Sequence, residues 1–382
     1  MIIVMKADLP KDSAELRQIV QLAESFPGIK AQVHVIQGAT RSLTEVHLHG
    51  STGVIPTKPF EEFEGVEKVV RVTEKFRSIG RHEGQLESVG FEYNGVAITQ
   101  DNLTLFPGLC AVDKRENVEL TFRALKEHGI VTTRAGAYKP RTSPYDFQGH
   151  GKSCLPYLFE LAGKYGIRVI AMEVTHESHI GEIREALRAS GNATGVMLQI
   201  GTRNAQNFEL LKAVGSQSEM PVLFKRGMGI TLEESLNACE YIASGGNRRI
   251  VFALRGVKSN LGDPHRNLID FAHVPAIRRL TRLPVCVDPS HGVGRRDRSS
   301  DGLSDLMHVA AQGVIAGANM LLVDVHPRPA EAMCDGPQAL TLDELAHLLD
   351  DVRAVRRAYE ERLRIAGVYR LAEKQRGPAR AA

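Results

Sequence analysis

The segment Val169-Ile-Ala-Met-Glu-Val174 is an apolar run broken only by one glutamate. A charged stretch of helical period, Ile180–Ala189, follows it, and then a second run, Val196-Met-Leu-Gln-Ile200. A strand with one wet face alternates polar and apolar residues, whereas a continuous run is buried on both faces, as in a parallel sheet whose crossovers are helices. The same unit recurs in both directions along the chain. Comparable runs stand at Leu103–Phe106, Ile130–Thr133, Val222–Phe224, Ile250–Leu254, Val285–Val287 and Leu321–Val325. Helical stretches separate the runs at Arg115–Lys126, Leu155–Lys164, Asn204–Val214, Leu232–Ser244, Val274–Leu280 and Leu303–Ala316. Thr341–Ala366 closes the series, with Glu344 three residues after Thr341 as in a capping box. Eight strand-helix units over about 260 residues are what a closed (β/α)8 TIM barrel requires. No GxGxxG follows the first strand, which counts against a dinucleotide-binding sheet.

Ahead of the barrel, residues 1–75 read as βαββαβ. The pieces are Ile2–Met5, Ser13–Ser25, Ala31–Gln37, Leu43–His49, Phe60–Phe63 and Val66–Val72, the order of a small ferredoxin-like domain. It holds no glycine-rich loop and no cysteine, so a binding or regulatory role is expected of it. The glycine- and arginine-containing stretch 76–102 reads as a linker, 103–372 as the catalytic α/β barrel, and 373–382 as a frayed tail.

Composition bounds the partners. The chain has 382 residues, and 48 Lys and Arg against 45 Asp and Glu leave a formal charge of +3, too balanced for a nucleic-acid or membrane surface. Its five cysteines are odd in number and widely spaced, with no CxxC pair and no secretory signal, so a disulfide framework is not expected and a cytoplasmic location is.

In a barrel of this kind the chemistry sits where the strands end. Those ends carry Cys110, then Arg134, Lys139 and Arg141, then Glu173, Arg203, Lys225 with Arg226, Arg255, Asp288 with His291, and Asp324 with His326 and Asp335. Two groups emerge. The cations Arg134, Lys139, Arg203, Lys225 and Arg255 would repel one another at one mouth unless an anion, phosphate or carboxylate, compensated them. Cys110, His291, Asp324 and Asp335 form a mixed soft and hard donor set suited to a divalent metal ion. The loop from Arg134 to Gly149 is dense in donors, with Lys139, Arg141, Thr142 and Ser143 around a stiffening Pro140, and reads as a phosphate-binding loop without a Walker signature.

Several stretches resemble one family. They are 134–149, the run from Gln199 to Leu211 that begins Gln-Ile-Gly-Thr-Arg, Leu223-Phe-Lys-Arg-Gly227, Leu254-Arg-Gly256, Val287-Asp-Pro-Ser-His291 and Asp335-Gly-Pro-Gln338. The family is the 3-deoxy-D-arabino-heptulosonate 7-phosphate (DAHP) synthases, in the subclass that includes the 3-deoxy-octulosonate 8-phosphate synthases. The unit at 1–75 resembles the N-terminal regulatory module that some members carry. The resemblance implies condensation of phosphoenolpyruvate (PEP) with erythrose 4-phosphate at the head of the shikimate route. It implies a metal ion (Mn, Co, Fe or Zn) on Cys110, His291, Asp324 and Asp335, and PEP on Arg134, Lys139, Arg203, Lys225 and Arg255. The aldose phosphate falls to the loop Lys139, Pro140, Arg141, Thr142 and Ser143, with Asp288 counted at the substrate site. Lys139 is the expected proton donor and Glu173 the expected handler of water, with a structural carboxylate as its rival reading. A homo-tetramer and an aromatic amino acid effector are implied as well.

Three departures from the family pattern stand out. Pro107-Gly-Leu-Cys110 replaces Ala-Gly-Pro-Cys, Asp324 replaces a glutamate one methylene longer, and Leu254 precedes Arg255 where many relatives have Glu. They leave two other readings open: a paralogue using another aldehyde such as arabinose 5-phosphate, or a metabolite sensor without turnover. His326 reads as a hydrogen-bonded barrel residue. Cys334 reads as a bystander thiol, with a disulfide to Cys110 as its other reading, and His150 and Lys152 are weaker candidates for substrate contact.

Overall fold

The structure, a computed structural model, describes residues 1–7, 9–10, 13–37, 42–71, 76–82 and 89–376. The N-terminal domain comprises β1 (Ile2–Met5), α1 (Ala14–Glu24), β2 (Lys30–Gln37), β3 (Ser42–His49), α2 (Lys58–Glu61) and β4 (Val66–Val70). Its sheet runs β2-β3-β1-β4, antiparallel throughout, which is the ferredoxin-like order. Ser13 starts α1 by accepting the Leu16 N–H at 3.1 Å. The buried face of that helix, Leu16, Ile19 and Ala23, packs with Ile3, Met5, Val46, Leu48 and Phe60.

Within the expected linker lies an antiparallel hairpin, β5 (Gly90–Tyr93) and β6 (Val96–Thr99). Asn94 and Gly95 turn it, both at positive φ, as a two-residue hairpin loop requires. Its Phe91, Val96 and Ile98 cluster with side chains inside the barrel and close its lower end. The linker expectation therefore describes the composition of this stretch but not its role.

The barrel strands are β7 (Thr104–Leu109), β8 (Thr132–Ala135), β9 (Val169–Val174), β10 (Gly195–Ile200), β11 (Val222–Lys225), β12 (Ile250–Leu254), β13 (Val285–Val287) and β14 (Met320–Asp324). All pair in parallel, and β14 closes on β7 with Asp324 opposite Gly108. The helices are α3 (Arg115–Glu127), α4 (Leu155–Tyr165), α5 (Ser178–Ser190), α6 (Phe208–Gly215), α7 (Leu232–Ser244), α8 (Val274–Leu280), α9 (Pro289–Val293), α10 (Asp305–Ile315) and α11 (Glu344–Arg376). Helix α9 is one short turn that the periodicity did not signal, and α11 runs four residues into the expected tail, whose remainder, 377–382, lies outside the described residues.

Strand geometry explains the unbroken apolar runs. Ile170, Met172 and Val174 face the helices while Val169 and Ala171 face the barrel axis, so both sides of β9 are dry. At the foot of the barrel, Glu45 of β3 is buried at 1% exposure and receives Arg248 Nη1 at 2.7 Å, His47 Nε2 at 2.9 Å and Arg282 Nη1 at 3.6 Å. This ion cluster joins the N-terminal sheet to the barrel.

Candidate active site

The inward register of each strand leads to the site. Phe106, Val169 and Ala171, Met197, Leu223, Val251 and Ala253, Cys286, Met320 and Leu322 fill the barrel interior. Continuing by twos along each strand reaches Cys110, Glu173, Gln199, Lys225, Arg255, Asp288 and Asp324 at the upper rim. The same period that buries the apolar residues therefore aims one polar group after another at a common space.

Cys110, His291 and Asp324 present donor atoms within 4.8 Å of one another, and so do Cys110, Cys334 and Asp335. Cys110 Sγ lies 3.7 Å from His291 Nε2 and 3.1 Å from Asp335 Oδ2. The Nδ1 of His291 is engaged by Asp288 at 3.0 Å, which leaves Nε2 toward the cluster. Burial alone lowers the His291 pKa, but the Asp288 and Asp324 carboxylates outweigh it and push it up to about 10. The Cys110 thiol is raised well above its ordinary value by its hydrogen bond to Cys334, by burial and by Asp324. A thiol, an imidazole with its second nitrogen occupied, and two carboxylates are a fitting donor set for a divalent transition metal.

Above this cluster opens a cavity whose walls carry Lys139, Arg141, Arg203, Lys225, Arg255 and Arg266. Burial lowers the Lys139 pKa, but the neighbouring Cys110 and Glu173 hold it above the ordinary lysine range, so it is charged. Its Nζ lies 3.1 Å from Cys110 Sγ and 4.0 Å from Glu173 Oε2, between the donor cluster and the rest of the cavity. Glu173 fits there because residue 201 is glycine: a Cβ at that position would overlap Glu173 Oε1. Arg255 is 3% exposed, and its Nε and Nη1 have no hydrogen-bond partner among the described residues. Such a site compensates an anion and holds it in a fixed orientation.

A model of the DAHP synthetase I family matches residues 79–360, and one of the DAHP synthase ferredoxin-like domain matches residues 1–74. The chain belongs to the DAHP synthetase I family. It is 36% identical over 353 residues to a phospho-2-dehydro-3-deoxyheptonate aldolase of Thermotoga maritima, covering 92% of this chain and 97% of that protein. The crystal structure of the Thermotoga maritima DAHP synthase superposes with a TM-score of 0.67 at 35% identity, covering 94% of this chain and 97% of that one. A 2-dehydro-3-deoxyphosphooctonate aldolase of Desulfotalea psychrophila is 27% identical over 271 residues, covering 68% of this chain and 91% of its own.

Not every residue expected at this family's site reaches the cavity. Asp288 is fully buried behind it, held by Lys225 Nζ at 2.6 Å as well as by His291, because two cations neutralise it there. Arg134 folds inward onto Asp324, with Nη1 2.5 Å from Oδ1, and donates to Cys110 Sγ at 3.3 Å. Ser143 caps its own loop by accepting the Tyr145 N–H, while Pro140 and Thr142 do line the cavity. Lys152 pairs with Glu185 at 2.8 Å, and His150 Nε2 lies against the Asp113 carbonyl, so neither lines it. His326 is hydrogen-bonded to Asp113 at 2.8 Å, as expected of a barrel residue.

Sequence reasoning missed Arg266 and Gln338 and set Cys334 aside. Arg266 Nη1 reaches Asp335 Oδ1 at 3.3 Å and Gln338 Oε1 at 3.2 Å, and Gln338 Nε2 donates to Asp324 Oδ2 at 2.6 Å. Arg266 follows β12 by a long irregular loop, so no period pointed to it. Gln338 stood inside a quoted motif, three residues after Asp335, and that spacing was the available signal.

Proposed function

We propose that the chain is a DAHP synthase, condensing PEP with erythrose 4-phosphate and water to give DAHP and inorganic phosphate. The observation that carries this reading is the convergence of a Cys/His/Asp/Asp donor set and a cation-lined cavity at one barrel mouth, in a chain of this family. Arg255, Lys225 and Arg203, which line the cavity, are assigned to the phosphate and carboxylate of PEP, and Arg134 to holding Asp324 and Cys110 of the donor set. Arg141, Thr142 and the adjoining loop are assigned to the aldose phosphate. Lys139 stands between the two groups and is the assigned proton donor.

In the reaction C3 of PEP attacks the aldehyde carbon, a carbon-carbon bond forms, and the aldehyde oxygen takes a proton from Lys139. Water adds at C2 with Glu173 accepting its proton, and the phosphohemiketal then collapses with C–O cleavage to the ketone and phosphate. Cys110, His291, Asp324 and Asp335 would hold a divalent metal, which when bound polarises the aldehyde carbonyl as a Lewis acid. The protein's larger contribution is positioning: five cations fix two polyanions in near-attack geometry and offset their mutual repulsion.

The N-terminal domain is assigned as a regulatory module for an aromatic amino acid, in a homo-tetrameric enzyme of the cytoplasm. The match of residues 1–74 to the ferredoxin-like domain supports the first part. Among the described residues no helix is long and apolar enough to cross a membrane.

Phosphate release tests the reading directly. With PEP, Mn and erythrose 4-phosphate, release should be rapid, and arabinose 5-phosphate should replace the aldose poorly. Faster turnover with arabinose 5-phosphate would reassign the substrate, and PEP binding without release from any aldose would turn the barrel into a sensor.

A further inference from the structure

Cys334 precedes Asp335 in the segment after β14, and its sulfur lies in the donor cluster. Cys334 Sγ donates to Asp335 Oδ2 at 3.0 Å, and Cys110 Sγ reaches the same oxygen at 3.1 Å. All three atoms fall within 4.8 Å of one another. Each sulfur also has its own cation, Arg141 Nη1 at 2.7 Å from Cys334 and Lys139 Nζ at 3.1 Å from Cys110. A thiol buried only for packing sits among apolar side chains and needs no such company.

We propose that Cys334 is a second thiolate donor to the metal centre, beside Cys110, so that the site binds thiophilic divalent ions of the zinc and cobalt kind in preference to Mn. The inference rests on the metal assignment made above and adds a ligand to it. Metal-sulfur bonds of about 2.3 Å and metal-nitrogen or metal-oxygen bonds of about 2.0–2.2 Å separate two donors on one ion by roughly 3–3.8 Å. The 3.7 Å from Cys110 to His291, the 3.1 Å from Cys110 to Asp335 and the 3.0 Å from Cys334 to Asp335 all fall in that range. On binding, both thiols release their protons to solvent, and the two sulfur charges are offset by the ion, Arg141 and Lys139. A second sulfur favours soft ions because Mn takes oxygen donors more readily than thiolates.

Cobalt(II) titrated into the reduced full-length chain reads the sulfur donors through the thiolate-to-cobalt charge-transfer absorption per bound cobalt. Cys334→Ser and Cys334→Ala should each cut that absorption by about half, Cys110→Ser should do the same, and the double variant should abolish it. In direct competition, Cys334→Ser should lower the preference for Zn over Mn at least tenfold. If both Cys334 variants bind cobalt with the full absorption, Cys334 only hydrogen-bonds Asp335 and the proposal is overturned. Bound cobalt with no thiolate absorption in the parent chain would overturn the proposal together with the role of Cys110. Phosphate release, measured separately, would still decide the reaction itself.

Discussion

His291 Nδ1 and Asp288 Oδ2 lie 3.0 Å apart, with Asp288 fully buried and Lys225 Nζ on the same oxygen at 2.6 Å. One carboxylate thus fixes both the tautomer of a candidate metal donor and the position of a candidate PEP cation. It is the point at which the two halves of the site are mechanically joined.

Asp288→Asn should therefore damage both halves at once. Loss of a carboxylate behind a metal-bound histidine costs about 10–100-fold in metal affinity. Mn binding followed by calorimetry should weaken by that factor, and the KM for PEP should rise at saturating metal because Lys225 loses its anchor. A variant that loses metal affinity with unchanged PEP binding would show that Lys225 is held by other means.

Arg255→Ala should act on PEP alone. Its Nε and Nη1, without a partner among the described residues, are placed for an anion, and a charge-assisted hydrogen bond contributes about 1.5–3 kcal/mol. At roughly 1.4 kcal/mol per factor of ten, PEP binding should fall about 10–100-fold, with metal affinity unchanged. Arg255→Lys should recover part of the loss, since it restores the charge but not the planar fork. Equal PEP affinity in Arg255→Ala and the parent chain would remove Arg255 from the substrate site.

The barrel and most of its rim were legible because one rule produces both. Period two on a strand buried on both faces sets Val169, Ala171 and Glu173 on one line, so an apolar count also locates the acid. Arg134 and Asp288 were read as substrate contacts because strand-end position reveals direction but not what a neighbouring strand offers. Asp324 and Lys225 claim them first. The hairpin at 90–99 was hidden for a different reason: its strands are only four residues each, too short to show a period, and their Phe91, Val96 and Ile98 are the buried side chains that fill the barrel floor. Arg266 was out of reach because its place depends on the path of a loop.

Gln338→Leu tests that loop-built layer. Gln338 links Arg266 to Asp324 and is 1% exposed, so leucine keeps the volume but leaves both partners short of a hydrogen bond. Metal affinity should fall severalfold to about tenfold, while kcat at saturating metal changes less. A variant with parental metal affinity would mean that Arg134 alone orients Asp324.

The ion cluster beneath the barrel predicts an acid-sensitive docking of the N-terminal domain. Burial raises the pKa of Glu45, but its hydrogen bond to His47 and the charges of Arg282 and Arg248 outweigh this and hold the carboxyl well below the usual range. A carboxylate with a depressed folded-state pKa contributes stability that is complete above its unfolded value of about 4.3. That contribution is lost as pH falls from there toward the folded value, because the unfolded chain takes up the proton first. Glu45→Gln removes this dependence and also leaves Arg248 and Arg282 without their buried anion, which costs about 3–5 kcal/mol near neutral pH. Scanning calorimetry between pH 7 and pH 3 should show the parent Tm falling toward that of the variant as acid is added, with the widest gap at neutral pH. Parallel Tm curves across that interval would mean that Glu45 takes up its proton at the same pH folded and unfolded, and the cluster could not be what holds the sheet to the barrel.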